Sequence, residues 1–420
     1  MPKLSLPISQ LLLVLFEVAS IAVQAAPTTT VLNNMITLPI AKRFNTTGSG
    51  KMLQRDQARA RNLRAQATAR TNGTVPPPSS LVESDPIYSA INTYYAEVGI
   101  GTPPTTYVLI VDTGSANTWV GAGQPYVVTS SSKRTPDDVG KNYGDGETMS
   151  GLEYQDTLEL GPGLTILGQS IGVALESTNF VPFDGVLGLG PSKLTVGTLS
   201  PESSSSVPTV TENLYSQGMI ASEMISIAFE PATAGRSGEL TFGGTDPAKY
   251  VGDIAYAPIT QSYPSSKYFG VVQSVRYGQT DRLLINQPGI FDVGTTLILL
   301  ATDALSFYMS LVGGVYDEAT QLYRITLAQY ENLESVFFTF NGVDFEFTAN
   351  AQIWPRELNS GIGGSSDYAY LIIADIGSYS SSGMDIVNGM MFMERFYAVF
   401  DTENNRVGIA NNLYTYSTAN

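Results

Sequence analysis

From Tyr94 onward apolar and polar residues alternate over short runs separated by turn residues. Tyr94 to Ile100 and Tyr107 to Val111 read as strands, and Glu153 to Leu160 and Ser335 to Phe340 alternate with period two. Helical periodicity is rare: Val210 to Gln217, Ala301 to Leu311, Leu327 to Val336 and Met391 to Phe396 are the candidates. The pattern predicts an all-β chain with short helices. Upstream it changes. Arg55 to Arg70 is rich in Ala, Arg and Gln and predicts a helix, and Thr71 to Ser80, with three prolines, predicts an exposed linker open to processing. Leu11 to Val23 is apolar but for Glu17 and Ser20. Lys3 precedes it and Val23-Gln24-Ala25 closes it, the pattern of a secretory signal. No later run approaches the ~20 apolar residues of a membrane helix. The end, Leu413 to Asn420, is too polar for a lipid-anchor tail.

The β-rich part carries a weak internal repeat. Leu109-Ile110-Val111-Asp112-Thr113-Gly114-Ser115 is echoed 180 positions later by Gly289-Ile290-Phe291-Asp292-Val293-Gly294-Thr295. Each half then has a second apolar element with glycine, Phe183 to Leu189 in the first and Asp385 to Met390 in the second. Duplicated punctuation predicts two lobes related by a pseudo-twofold.

Composition narrows the chemistry. The chain of 420 residues has no cysteine and no histidine. Disulfides, Ser-His-Asp and Cys-His catalysis and His-bearing zinc sites are thereby excluded. Acid–base work falls to carboxylates. Charge is divided unevenly: residues 26–70 hold eight Lys/Arg and one acid, Asp56, for a net +7, whereas the chain from 71 on carries a net −23. A basic arm can bind nucleic acid or form a solvated helix. In a secreted chain it fits better as a cationic pro-segment docked on an anionic enzyme, released as acid protonates the carboxylates. Two sequons, at Asn45 and Asn72, lie in or before the linker.

A lone Asp-Thr-Gly is no more than a strand-end turn, with Asp capping and Gly free to take positive φ. Here two such turns follow apolar strands. Gly114 and Gly294 leave room for a substrate backbone, and Ser115 and Thr295 come three positions after each Asp, within reach of its carboxylate. Two facing carboxylates resist joint ionisation, so one serves as base and the other as acid. The base takes a proton from water, which attacks a peptide carbonyl, with no metal or cofactor. A glycoside hydrolase also uses two carboxylates but carries an aromatic sugar cleft and no Asp-Thr-Gly repeat.

With Asp112 to Val120, Asn142 to Gly146, Phe183 to Gly190, Ile353 to Arg356 and Glu394 to Asp401, the chain from about Tyr94 to the end resembles the pepsin-type aspartic proteases, and among them the cysteine-free fungal enzymes. The resemblance implies a bilobal pepsin-like fold with a cleft between lobes and Asp112 and Asp292 as catalytic pair. It implies that Thr113, Gly114, Ser115, Gly294 and Thr295 support the aspartates. It puts Tyr143 on a flap, with Trp119 accepting from or bracing its ring. Gly144 and Asp145 would bind substrate backbone, and Ile110, Phe183, Val186 and Thr296 would line subsites with a preference for hydrophobic residues. Bottom-up, Tyr143 to Gly146 is already a hairpin tip, since Asp-Gly is a strong turn signal.

The expected organisation is a signal at 1–25, a basic pro-segment and linker at 26–80, an N-terminal lobe with flap at 81–260 and a C-terminal lobe at 261–420. The expected partners are protein or peptide substrates and the chain's own pro-segment as intramolecular inhibitor, with no nucleic acid and no membrane. A monomer is expected, extracellular or alternatively vacuolar. A non-catalytic binding or inhibitor protein on the same fold is the rival, but such relatives lose a catalytic Asp, the flap tyrosine or a supporting hydroxyl, and all stand here. Two departures from the family pattern are Val293, where Thr or Ser is usual, and Asn388-Gly389-Met390, where many relatives have Leu-Gly-Asp.

Overall fold

A computed structural model describes residues 28–44, 51–71, 92–144, 146–235 and 237–419. The expected signal, nearly all of the Pro-rich linker with the expected boundary at 80/81, both sequon asparagines and Asp145 lie outside the described residues.

The strands expected near Tyr94 and Tyr107 run Asn92–Ile100 and Thr105–Asp112 and pair antiparallel. They belong to a fifteen-stranded sheet, which a seven-stranded and a three-stranded sheet accompany among the described residues. The helix expected at Arg55 spans Met52–Thr71, and those expected at Val210 and Ala301 span Val210–Ser216 and Thr302–Val312. Val210–Ser216 begins with a capping box between Thr209 and Glu212 that satisfies two backbone donors.

Two helical expectations shrink. Leu327 to Val336 is helical only over Leu327–Tyr330, because Val336, Phe338 and Phe340 alternate into the core of the strand Val336–Phe340, held by a strand on each side. Met391 to Phe396 is helical over Met390–Met393, and Phe396 opens a wholly buried strand, Phe396–Asp401. A continuous apolar run does not distinguish buried helix from buried strand.

Among the strands that sequence reading did not single out, one lies in the basic segment upstream of the helix. Met35–Phe44 lies in the large sheet beside Ser237–Phe242, and its later half also pairs Asn92–Ile100. Ile36, Leu38 and Ile40 point into the core. Pro39 masks the alternation in the sequence, yet it sits where the strand pairs Ser237–Phe242 and the partner Asn92–Ile100 joins only from Ala41. Proline tolerates such a half-paired position because it has no N–H to donate.

The internal repeat has a common geometry. In the first half Leu109–Asp112 runs parallel to Gly185–Gly188, which pairs antiparallel with Trp119–Val120. In the second, Gly289–Phe291 runs parallel to Ile386–Asn388, which pairs antiparallel with Ile298–Leu300. Gly190 donates to the Ser115 carbonyl and Met390 to the Thr295 carbonyl, each at 2.8 Å. At the departure Asn388 the carbonyl accepts from the Asp292 amide at 3.1 Å and the side chain donates to Gln273 at 3.2 Å, while Asn388 Oδ1 is buried with no partner among the described residues. Gly389 is required, since a Cβ there would overlap the Leu297 and Thr295 carbonyls.

Candidate active site

Each aspartate stands at the end of a strand and is held the same way. Ser115 Oγ donates to Asp112 Oδ2 at 2.5 Å and Thr295 Oγ1 to Asp292 Oδ2 at 2.6 Å. The amides of Gly114 and Gly294 donate to Oδ1 of their own aspartates at 2.9 and 3.3 Å. A side chain at Gly114 would strike Arg59 and the Asp292 carboxylate, and one at Gly294 would strike the Arg59 guanidinium. Beneath the pair, Thr113 Oγ1 donates to the Phe291 carbonyl at 3.3 Å and accepts from the Val293 amide at 3.0 Å. The Val293 side chain, equally buried, can return neither bond.

Between the carboxylates lies a group that sequence reasoning passed over. Arg59 Nη2 donates to Asp112 Oδ1 at 2.5 Å and to Asp292 Oδ1 at 2.7 Å, and Arg59 Nε donates to Asp292 Oδ2 at 2.6 Å. All three residues are buried. Burial alone would push the Asp292 carboxyl up. The Arg59 charge, its hydrogen bonds and those from Thr295 and Gly294 prevail and hold it below its usual value. Burial likewise works against the guanidinium, and the two carboxylates overcome it, so Arg59 stays charged.

The rest of the helix Met52–Thr71 is pinned across the same cleft. Asp56 Oδ2 accepts from the amides of Thr296 and Leu297 at 3.1 and 2.8 Å, while Asp56 Oδ1, also buried, has no partner among the described residues. Burial raises the Asp56 carboxyl to about 6 despite Arg55 and the two amides. Asn62 donates to the Asn142 carbonyl at 2.9 Å, and Tyr268 donates to the Leu63 carbonyl at 2.7 Å. Arg64 reaches the Met384 carbonyl at 2.7 Å. Below the helix, Lys42 and Glu394 form a buried ion pair.

The family model of eukaryotic aspartyl proteases matches residues 93–412. The chain is 52% identical to polyporopepsin of Irpex lacteus over 350 residues, 83% of this chain and 99% of that one. It is 30% identical to cathepsin E of Cavia porcellus over 349 residues, with 76% and 80% covered. A crystal structure of an aspartic proteinase from Irpex lacteus superposes with a TM-score of 0.75 at 52% identity, covering 78% of this chain and 96% of that one. The chain belongs to the eukaryotic aspartyl protease family. It is an aspartic-type endopeptidase with the bilobal, β-rich pepsin-like fold, and it acts on protein or peptide substrates.

The hairpin expected to form the flap consists of Lys133–Gly144 and Glu147–Glu159, paired antiparallel. Trp119 Nε1 donates to Tyr143 Oη at 2.7 Å, with the rings tilted and 6.4 Å apart. The alternative that Trp119 accepts is corrected, because an indole N–H only donates. Phe180 packs edge to face with both rings and was missed, three residues before the expected apolar element. Ile110 and Val186 join this cluster; Phe183 instead meets the ring of Tyr95 and the guanidinium of Arg43. Gly144 lies against the helix: at φ +90° it has backbone freedom that side chains rarely share, and a Cβ would press on Ala58 and Asn62. Asp145 cannot be placed among these contacts because it lies outside the described residues.

Proposed function

We propose that the chain is the precursor of a secreted aspartic endopeptidase in which Asp112 and Asp292 are the catalytic pair and the basic segment at 26–80 is its intramolecular inhibitor. The observation that carries the reading is the single guanidinium of Arg59 bonded to both carboxylates. A group that needs two facing carboxylates occupies the position of the water they activate. Once Arg59 leaves, the pair is buried without a counter-charge and shares a proton, as two carboxylates in aspartic proteases do. The ionised member takes a proton from water, and the protonated member donates to the oxygen of the attacked carbonyl. Ser115, Thr295 and the amides of Gly114 and Gly294 fix the carboxylates so that their lone pairs face the water. Tyr143, held by Trp119, covers the site, and the Thr296 amide that now serves Asp56 receives substrate backbone. The apolar cluster around Trp119 favours hydrophobic residues beside the cut.

The proposed organisation keeps a signal at 1–25 and two lobes meeting near 260, and the working enzyme is an extracellular monomer active in acid. Among the described residues no helix is long and apolar enough to cross a membrane. The deciding experiment replaces each carboxylate. Asp112→Asn and Asp292→Asn should each lower peptide hydrolysis by at least about a thousandfold while the thermal melt stays within a few degrees of the wild type. Retention of a tenth of the activity in either variant would remove that residue from the catalytic pair.

A further inference from the structure

Two helical turns beyond Arg59, the same helix face presents Gln66 to the flap. Lys141, on the flap strand Lys133–Gly144, is buried, and its ammonium donates to Gln66 Oε1 at 3.0 Å. Among the described residues this is the one acceptor it reaches. Gln66 Nε2 in turn donates to the Asn142 carbonyl, and Arg70 Nη2 donates to Gln66 Oε1 at 3.1 Å. Arg70 also bonds the Leu194 and Val196 carbonyls, which marks the end of the cleft where this contact lies.

A buried ammonium needs an acceptor, and a flap strand beside the catalytic pair is an unusual place to keep one. Burial, Arg70 and Arg59 together pull the Lys141 amine well below its ordinary value, with Asp112 opposing. Both arginines belong to the helix and depart with it. Lys141 stays in the cleft wall, relieved of their repulsion but stripped of Gln66. Its Nζ lies 5.9 Å from the centre of the Tyr143 ring and points at the helix through Gln66, so departure of the helix opens it to the space the helix leaves. Arg59 and Gln66 are separated along the helix by about 11 Å at 1.5 Å per residue. An extended peptide advances about 3.3 Å per residue. The position of Gln66 therefore corresponds to a substrate residue about three places from the attacked bond.

Resting on the reading that the helix vacates the cleft, we propose that Lys141 is a specificity-determining residue that takes a substrate side chain bearing an oxygen acceptor, Glu or Gln, at that position. The Gln66 carboxamide is the built-in template for this contact: an uncharged acceptor of the right length, with its amide donating to a flap carbonyl. Elsewhere the same cleft is lined by apolar groups that would favour hydrophobic residues.

The test uses mature enzyme prepared from the full precursor, and peptides that differ only at the residues two and three places from the cut, on either side, carrying Gln, Glu, Leu or Lys. The wild type should favour Gln or Glu over Leu at one of these positions by about tenfold in kcat/KM, the worth of a hydrogen bond to a charged group, and should disfavour Lys. Lys141→Leu should bring the Gln-to-Leu ratio toward one, and Lys141→Arg should keep it above about threefold. A merely structural role would lower hydrolysis of all peptides together and leave the ratio intact; that result, or no preference in the wild type, overturns the proposal. Full activity of the precursor with its helix still attached and docked would instead overturn the inhibitor reading, and the two failures are read on different samples.

Discussion

Val293 is 1% exposed and lies opposite Thr113, whose hydroxyl bonds the Phe291 carbonyl and the Val293 amide. By the pseudo-twofold, the hydroxyl introduced by Val293→Thr faces the Thr113 amide and the Val111 carbonyl. It should stabilise the enzyme by about 1 kcal/mol, one net hydrogen bond. Thr113→Val, which strands the Val293 amide, should cost at least as much. Urea melts of both variants at one acid pH measure this. A loss of stability in Val293→Thr would mean that apolar contacts have closed around the valine and bury the new hydroxyl unpaired. At this scale the sequence was most informative where chemistry is local. The aspartates, their hydroxyls three positions on and the two glycines stand within a few residues of each other, and their contacts repeat that spacing. Arg59 was illegible because its partners lie 53 and 233 positions away, in a helix with several other arginines. Phe180 was illegible because nothing in an isolated phenylalanine tells which ring it will meet.

The Met52–Thr71 helix buries Met52, Leu53 and Leu63 but is otherwise rich in Ala, Arg and Gln, so polar anchors spaced along it add to what holds it in place. Asp56, Arg59 and Arg64 bond different parts of the cleft, and Asn62 and Gln66 share the Asn142 carbonyl of the flap strand. Arg59 is the strongest, because its planar fork meets two carboxylates at once. Arg59→Met leaves those carboxylates buried without a cation, a change that costs about 3–5 kcal/mol in a buried ion pair. The precursor of this variant should bind a statine-type inhibitor at pH 5, where the wild-type precursor does not, and should convert without further acidification. Unchanged inhibitor exclusion would show that the other anchors alone hold the helix. The element itself was legible, since helix formers without Gly or Pro run from Arg55 to Arg70. The strand Met35–Phe44 was not, because its hydrophobic positions make sense only beside Ser237–Phe242, some 200 positions later, and Pro39 breaks the local signal.

The whole molecule sets a net −23 body against a +7 segment, so separating them is opposed by long-range attraction at neutral pH that salt screens. Two buried carboxyls then act in opposite senses. The Asp292 carboxyl, held below its ordinary 3.8 by Arg59, stabilises docking fully above that value and loses the contribution as pH falls through its lowered one. Asp56, raised to about 6, behaves oppositely: buried ionised, it weakens docking above about pH 6, and the penalty disappears as pH falls from 6 toward 3.8. Docking is therefore weakened above about pH 6, tightens as pH falls toward 3.8, and weakens again only as pH falls through the lowered value of Asp292. The bilobal cleft could be anticipated from the duplicated aspartate motif, but this pH window could not, since it depends on which carboxyls end up under the helix. Asp56→Asn keeps an acceptor for the Thr296 and Leu297 amides and removes the charge. Opening of the variant precursor at pH 7, followed by hydrogen exchange in the helix Met52–Thr71, should slow by about tenfold or more, since one pKa unit is worth about 1.4 kcal/mol. At pH 4 the variant and wild type should open alike, because Asp56 is then protonated in the docked state. Equal exchange at pH 7, or faster exchange in the variant, would show that Asp56 is paired in the cleft and that acid release is governed by the Arg59 contact alone.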